Sequence, residues 1–172
     1  IPQPIYFMYE VGNFYQNHRE YIQSKSNYQL AGNIIDNSTQ CDPFYNNDDF
    51  KVTTSWGGVA LDPAALASPC GAIARTFFND SFQLLYSSNS SALAINETDI
   101  SWPGDKGGKY KQTENSSSLQ WVDPENEHFV VWMRTSGLPN FKKLWGRIES
   151  DLEPGNYTIR VFNKYDSTDW NG

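Results

Sequence analysis

The sequence predicts a mainly β domain, an antiparallel β-sandwich with long loop insertions and a few short helices. Three observations carry this expectation. Aromatic residues make up 15% of the 172 residues, and Tyr and Trp favour strands while bringing large buried area with a polar tip. Short apolar or alternating runs are separated by long stretches rich in Asn, Ser and Thr, the pattern of strands joined by irregular connections. Twelve glycines and nine prolines punctuate those connections. A chain of this length suits one domain, 1–172, able to bury a real core.

The elements follow in order. IYFMYEV, from Ile5 to Val11, reads as a strand whose aromatics on both parities imply burial on both faces. NFYQNHREYIQSKS mixes polar and aromatic residues, a turn into a short helix. Residues 31–70 form a long insertion that Cys41 and Cys70 would close. CGAIARTFFND suggests a short helix, and SFQLLYSS a strand after it. SALAINETDISW alternates with period two and reads as a strand; SWPGDKGGKYKQTENSSS reads as a flexible loop. HFVVWMR, a continuous apolar run, reads as a strand ending at Arg134. In LPNFKKLWGRIES, Leu138, Phe141, Leu144, Trp145 and Ile148 fit a helical stripe, but Gly146 sits mid-run between strand-like neighbours, which favours an extended segment from about Lys143. NYTIRVFNKY alternates cleanly and is a strand entered through the turn Glu153-Pro154-Gly155.

Net charge is −7, and no stripe of Lys and Arg exists to track a phosphate backbone, so nucleic acid is excluded as a partner. The apolar runs fall far short of the roughly 20 residues that span a bilayer. The chain starts at Ile1 without a Met, which reads as an excised piece or a processed product. N-x-S/T occurs at Asn37, Asn79, Asn89, Asn96, Asn115 and Asn156, more often than chance in an Asn/Ser-rich chain would give, and this points to the secretory lumen or the cell exterior. The two cysteines read as one disulfide in that setting, worth roughly 3–4 kcal/mol by the chain-entropy argument; two buried free thiols are the competing reading.

A search for catalytic groups finds little. With two histidines, there is no H-E-x-x-H zinc motif, and no G-x-S-x-G elbow. PGDKGGKYK has the wrong spacing for a phosphate loop. The acidic clusters Asn46-Asn47-Asp48-Asp49 and Asp123-Pro124-Glu125-Asn126-Glu127 lack an EF-hand pattern and read as solvated loops rather than Ca²⁺ sites. No metal and no cofactor are expected. His18 and Arg19 read as side chains that hydrogen-bond loop carbonyls and pin a turn, with contact to a ligand or partner as the alternative. Arg134 reads the same way, its five donors satisfying carbonyls where a buried strand ends.

Four segments, taken in order, resemble the extracytoplasmic domain of the cell division control protein 50 family, also called the ligand-effect modulator family. They are FYQNHREYIQSKS; Gln40-Cys41-Asp42-Pro43 with Ser68-Pro69-Cys70-Gly71-Ala72-Ile73-Ala74; Phe78-Asn79-Asp80-Ser81; and VVWMRTSGLPNFKKLWGRIE. The resemblance runs from Tyr6 to about Tyr165. It implies a jelly-roll-like sandwich carried between two membrane helices that are missing from this chain. It implies that Cys41 and Cys70 form one of the family's two disulfides, and that Asn79 is a glycan site. The other five sequons rest on the local pattern alone. It places Trp132 and Arg134 in the motif W-M-R-T, with His18 and Arg19 in N-H-R, as structural or partner-contact candidates. Glu20 stands where the family usually has a second basic residue, and Ser136-Gly137 where it has Ala-Ala; these departures bear on which partner is preferred rather than on the fold.

By that resemblance the chain is no enzyme. It implies an accessory subunit of a type-four P-type ATPase, a phospholipid flippase, bound as a heterodimer. The domain would help its partner leave the endoplasmic reticulum and rest over the partner's exoplasmic loops, on the luminal or extracellular side of the endoplasmic reticulum, Golgi, endosome or plasma membrane. Loops 31–69 and 103–118 are the candidates for contact. The rival reading, from another class, is a secreted carbohydrate-binding or carbohydrate-active β-sandwich in which Trp56, Trp102 or Trp170 stacks on sugar rings.

Overall fold

The computed structural model describes residues 1–36 and 39–166. In chain order the elements are β1 (Ile5–Val11), α1 (Arg19–Gln23), α2 (Asn27–Leu30), a 3-10 turn at Thr39–Cys41, α3 (Ala72–Arg75), β2 (Ser81–Tyr86), β3 (Ala92–Leu93), α4 (Ser116–Leu119), α5 (Glu127–Met133), β4 (Phe141–Ile148) and β5 (Tyr157–Phe162). Strand β1 pairs with β4, and β2 lies between β3 and β5. Every pairing among them is antiparallel. Rings join the two sheets: Phe82 of β2 meets Phe7 of β1 at 5.4 Å and Trp145 of β4 at 5.0 Å, both edge-on. Long loops and short helices complete the mainly antiparallel β fold that the sequence predicts.

Several elements differ from their expected form. HFVVWMR is a helix, not a strand. Asn126 caps it: its side-chain oxygen accepts from the backbone N–H of His128 and Phe129, which satisfies donors a helix start leaves free. The buried residues Phe129, Val130, Trp132 and Met133 fall on one helical face. Strand β1 is buried on one side only, with Tyr6, Met8 and Glu10 outward and Tyr9 inward. SALAINETDISW pairs as a strand only at Ala92–Leu93, because Asn96 turns the chain by accepting from both the N–H and the hydroxyl of Thr98. The run 101–118 is held rather than loose: Asp105 and Tyr110 are buried, and the Lys111 N–H donates to the Leu30 carbonyl at 2.8 Å.

Strand β4 begins at Phe141, two residues before its expected start, and alternation wins over the helical stripe: Phe141, Lys143 and Trp145 all point inward. Gly146 has a specific job. A Cβ there would lie 2.5 Å from Ile95 Cγ2 and 2.9 Å from the Asn96 carbonyl, so its absence lets Asn96 exchange two backbone hydrogen bonds with Arg147. The pairing with β1 slips by one residue at the same place, between Phe7 and Met8.

Cys41 and Cys70 are joined, with Cα atoms 5.6 Å apart across a separation of 29. Beside the bond, buried Gln29 holds the end of the insertion with both ends of its amide, donating to the Ala67 carbonyl at 3.1 Å and accepting from the Cys70 N–H at 2.9 Å. Gly71 follows at φ +100°, where a Cβ would meet the Ser24 carbonyl at 2.3 Å. Only glycine reaches this conformation at low cost.

Helix α5 is the hub. Trp132 is fully buried and donates from its indole to the Ile73 carbonyl at 2.9 Å; Phe14, Phe78, Phe141 and Tyr165 surround its ring. The helix is tied by a charge at each end. At the start, Glu127 accepts from the N–H groups of Asp99, Ile100 and Ser101 and from the Ser101 hydroxyl, all within 2.9 Å, and pairs with Lys106 at 2.8 Å. At the end, buried Lys143 reaches across from β4 and donates to the carbonyls of Val131, Trp132 and Arg134 at 3.0, 3.3 and 2.6 Å. Those carbonyls are the acceptors a helix end leaves open, and a cation suits the negative end of the helix dipole.

Both charges link stability to pH. Burial pulls the Lys143 pKa from 10.5 to about 8, with the Arg134 charge adding to the effect. The unfolded chain therefore holds this proton more tightly between pH 8 and 10.5, and stability from this group rises with pH there. Lys143→Met is expected to cost ~2–3 kcal/mol near neutrality, since it strands three carbonyls, and chemical denaturation should show the gap to the parent widening from pH 8 to 10. Burial pushes the Glu127 carboxyl up, but Lys106, the Ser101 N–H and hydroxyl and the Asp99 N–H outweigh it and hold the pKa at about 2, against 4.5 ordinarily. Its stabilisation is full above pH 4.5 and fades as pH falls towards 2. A Glu127→Gln variant should be clearly less stable than the parent at pH 6, with the gap shrinking to about a quarter of that value by pH 2.5.

Candidate partner-contact surface

The motif FYQNHR forms the turn into α1, and its members divide the work. The buried Gln16 accepts from the Ser136 N–H at 2.9 Å, and Asn17 donates to the Gly137 carbonyl at 3.1 Å. These two amides lock the turn to the loop after α5. His18 and Arg19, expected to do the pinning, make no side-chain hydrogen bond among the described residues. Both are exposed, and His18 begins α1 with backbone bonds alone, its side chain capping nothing. They stand at the surface beside α1, available to a partner. Nothing in the spacing distinguished Gln16 from His18; polar amides inside an aromatic run were the signal.

Trp132, with its ring wholly inside the core, is a structural residue. Arg134 is a correction. Its side chain is 52% exposed and takes none of the carbonyls assigned to it; Lys143 takes them. Arg134 instead donates through Nε to Asp105 at 3.3 Å and lies over the face of Trp102 at 4.9 Å. Asp105 is 6% exposed and is also met by Lys109 at 2.5 Å. These partners, Lys109 foremost, outweigh its burial and hold its carboxyl below the ordinary value.

The expected sugar platforms have other duties. Trp102 carries the Arg134 guanidinium, and the Trp56 indole donates to the Ser116 hydroxyl at 3.2 Å. Trp170 lies outside the described residues. So does Asn37. Of the other sequons, Asn79, Asn89, Asn115 and Asn156 are exposed and Asn96 is half-buried. The acidic cluster at Asn46–Asp49 is a turn, in which Asp49 accepts from the N–H groups of Tyr45 and Asn46; the cluster at 123–127 caps α5. Among the described residues no group of His, Cys, Asp and Glu could hold a metal ion, and no helix is long and apolar enough to cross a membrane.

Because Lys109 keeps Asp105 paired, loss of Arg134 should be mild. Arg134→Ala is expected to cost only about 0.5–1 kcal/mol, the scale of an exposed ion pair, and to leave the yield of folded, exported protein near the parent's. Pulse-chase of the secreted and cell-retained fractions, alongside thermal unfolding, checks this; a loss of stability as large as that expected for Lys143→Met would restore Arg134 to a structural role.

The model of the LEM3 (ligand-effect modulator 3) family / CDC50 family matches residues 1–172. ALA-interacting subunit 3 of Arabidopsis thaliana is 38% identical over 185 residues, covering 99% of this chain and 48% of the relative. Cell cycle control protein 50A of Bos taurus is 31% identical over 197 residues, covering 94% of this chain and 50% of the relative. Cell cycle control protein 50C of Mus musculus is 31% identical over 202 residues, covering 98% and 55%. The chain thus spans about half the length of the curated relatives it matches. Matched from its first residue to its last, it belongs to the LEM3/CDC50 family.

Proposed function

We propose that this chain is the extracytoplasmic domain of a non-catalytic accessory subunit that forms a heterodimer with a phospholipid-translocating P-type ATPase. The observation that carries the reading is the family match across all of 1–172, joined to the name of the plant relative, an ALA-interacting subunit. On this reading the domain assists the folding and export of its partner and rests over the partner's exoplasmic loops, in the secretory pathway or at the cell surface. The glycan positions Asn79, Asn37, Asn89, Asn96, Asn115 and Asn156 belong to the same proposal.

The physics is that of differential binding. A surface that contacts one conformation of a transport cycle better than another shifts its population by the free-energy difference. A domain held by a disulfide, a buried lysine and an aromatic core loses little entropy on docking. His18 and Arg19, exposed and without a side-chain hydrogen bond among the described residues, are the residues in the N-H-R motif we assign to contact, together with loops 31–69 and 103–118.

The test uses the full-length protein, tagged and extracted in mild detergent from its own membranes, with mass spectrometry of what comes with it. A large membrane ATPase in near-equal amount is expected. Recovery of soluble glycan-bearing proteins instead, with no ATPase, would overturn the reading in favour of a carbohydrate binder. The paired substitution His18→Ala and Arg19→Glu should leave export and glycosylation as in the parent and lower ATPase recovery several-fold; equal recovery removes these residues from the contact.

A further inference from the structure

The cations of this acidic chain are mostly spoken for. Lys106 pairs with Asp99 and Glu127, Lys142 with Glu10, and Arg147 with Glu149, while Lys143 caps α5. Lys25 is the exception that has a shape around it. It is half-buried, and it lines a recess of about 620 Å³ between the loop entering α2, the 105–110 turn and the end of α5. Lys109 and Arg134 line the same recess, and its single carboxylate is Asp105. Asp105 already bonds Lys109 and Arg134, so the recess holds three cations against one anion. Burial, and then the nearby Lys109 charge, pulls the Lys25 pKa down, the expected response of a partly desolvated cation beside its own sign; Glu20 and Asp42 line a neighbouring recess that Lys25 also borders, and among the described residues neither pairs with it.

Asn27, Thr135 and Tyr110, which carry polar groups, line the same recess beside the apolar Leu30, Ala31 and Met133. The volume falls in the range of small-molecule sites. A folded, net-negative domain that places two surplus positive charges in one concavity is arranged for a compact dianion. A single carboxylate would answer only one of those charges.

We propose that this recess, built from Lys25, Lys109 and Arg134, binds a phosphate monoester group. Lys25 is the principal contact, and Asp105 acts as the positioning residue that holds the other two cations apart and oriented. The group is either a free soluble phosphate compound or the head group of an anionic lipid such as phosphatidic acid. The proposal is independent of the ATPase assignment.

The experiment takes the full-length protein in detergent and titrates inorganic phosphate at constant ionic strength, following binding by calorimetry and by the rise in melting temperature over a chloride control. Saturable binding is expected, and Lys25→Gln should weaken it by roughly tenfold, the scale of one lost charge-assisted contact. Lys25 makes no side-chain hydrogen bond or ion pair among the described residues and its charge is partly desolvated, so Lys25→Gln should melt in chloride at or slightly above the parent's temperature. Lys111→Gln, on the exposed outer side, serves as the charge control and should bind phosphate as the parent does. Vesicles of phosphatidylcholine with and without phosphatidic acid separate the sources. Lys25-dependent binding to phosphatidic acid vesicles assigns a lipid head group, and Lys25-dependent phosphate binding without vesicle binding assigns a soluble compound. Absence of saturable phosphate binding, or equal weakening by Lys25→Gln and Lys111→Gln, overturns the proposal.

Discussion

The structure depends on how one seven-residue helix is held. Helix α5 is too short to be stable alone, yet it carries Trp132, the ring around which Phe14, Phe78, Phe141 and Tyr165 gather. Its end would leave several carbonyls open at the edge of the core, buried or partly buried, where an unanswered acceptor is costly. A single ammonium group from the neighbouring strand answers three of them. Lys143 is thus a cap supplied from another element, and it fixes helix and sheet in one register. The cost is desolvation of a cation, visible in its lowered pKa, and the acceptors around it are what make that burial tolerable. Glu127 does the converse at the helix start, gathering the 99–101 backbone onto the positive end of the dipole.

A second constraint organises the insertion. A disulfide alone fixes two points, and the chain between them remains free to choose its path. Here the Gln29 amide reads the backbone on either side of Pro69, and Gly71 lets α3 start directly against Ser24, whose hydroxyl accepts from the Ala72 N–H at 2.8 Å. The helix that follows presents the Ile73 carbonyl to Trp132. Covalent bond, amide clamp and glycine therefore run in series into the same hub as Lys143. The Cys-Gly-Ala-Ile-Ala stretch is a continuous mechanical path from the staple to the core.

Legibility in the sequence followed the range of the forces involved. Alternation exposed β5 and most of β4, because pleat direction is a local property. The helix at α5 was missed because five consecutive apolar residues have no visible period, and only the cap residue Asn126 distinguishes the two readings. It was hidden in a stretch that looked like a solvated acidic loop. Burial of β1 on one face was overstated for a related reason: Tyr6 and Met8 look like core residues by type, whereas their exposure depends on what the other sheet covers. Lys143 left a faint trace, a lysine on the inward parity between Phe141 and Trp145, but its three acceptors lie on another element. The same holds for the functional candidates. The N-H-R and W-M-R motifs were visible as motifs, while the division of labour within them, Gln16 and Asn17 inward, His18 and Arg19 outward, Lys143 in place of Arg134, is decided by contacts more than a hundred residues apart in some cases and nine in others.

A chain with seven more acidic than basic groups gains nothing in solubility from internal cations, so the placement of its few lysines and arginines reflects local demand. Lys143 and Lys106 meet a visible demand inside the fold, at the two ends of α5. Arg134 meets a partial one, sharing Asp105 with Lys109 while its outer face rests on Trp102. Lys25 meets none among the described residues, pairing with neither Glu20 nor Asp42 of the recess it borders, although its partial burial costs solvation. Folding by itself selects against such an arrangement, since exchanging the lysine for a neutral polar residue would relieve both the desolvation and the repulsion from Lys109. A charge kept where the fold would be better without it is an argument for something outside the fold that binds there.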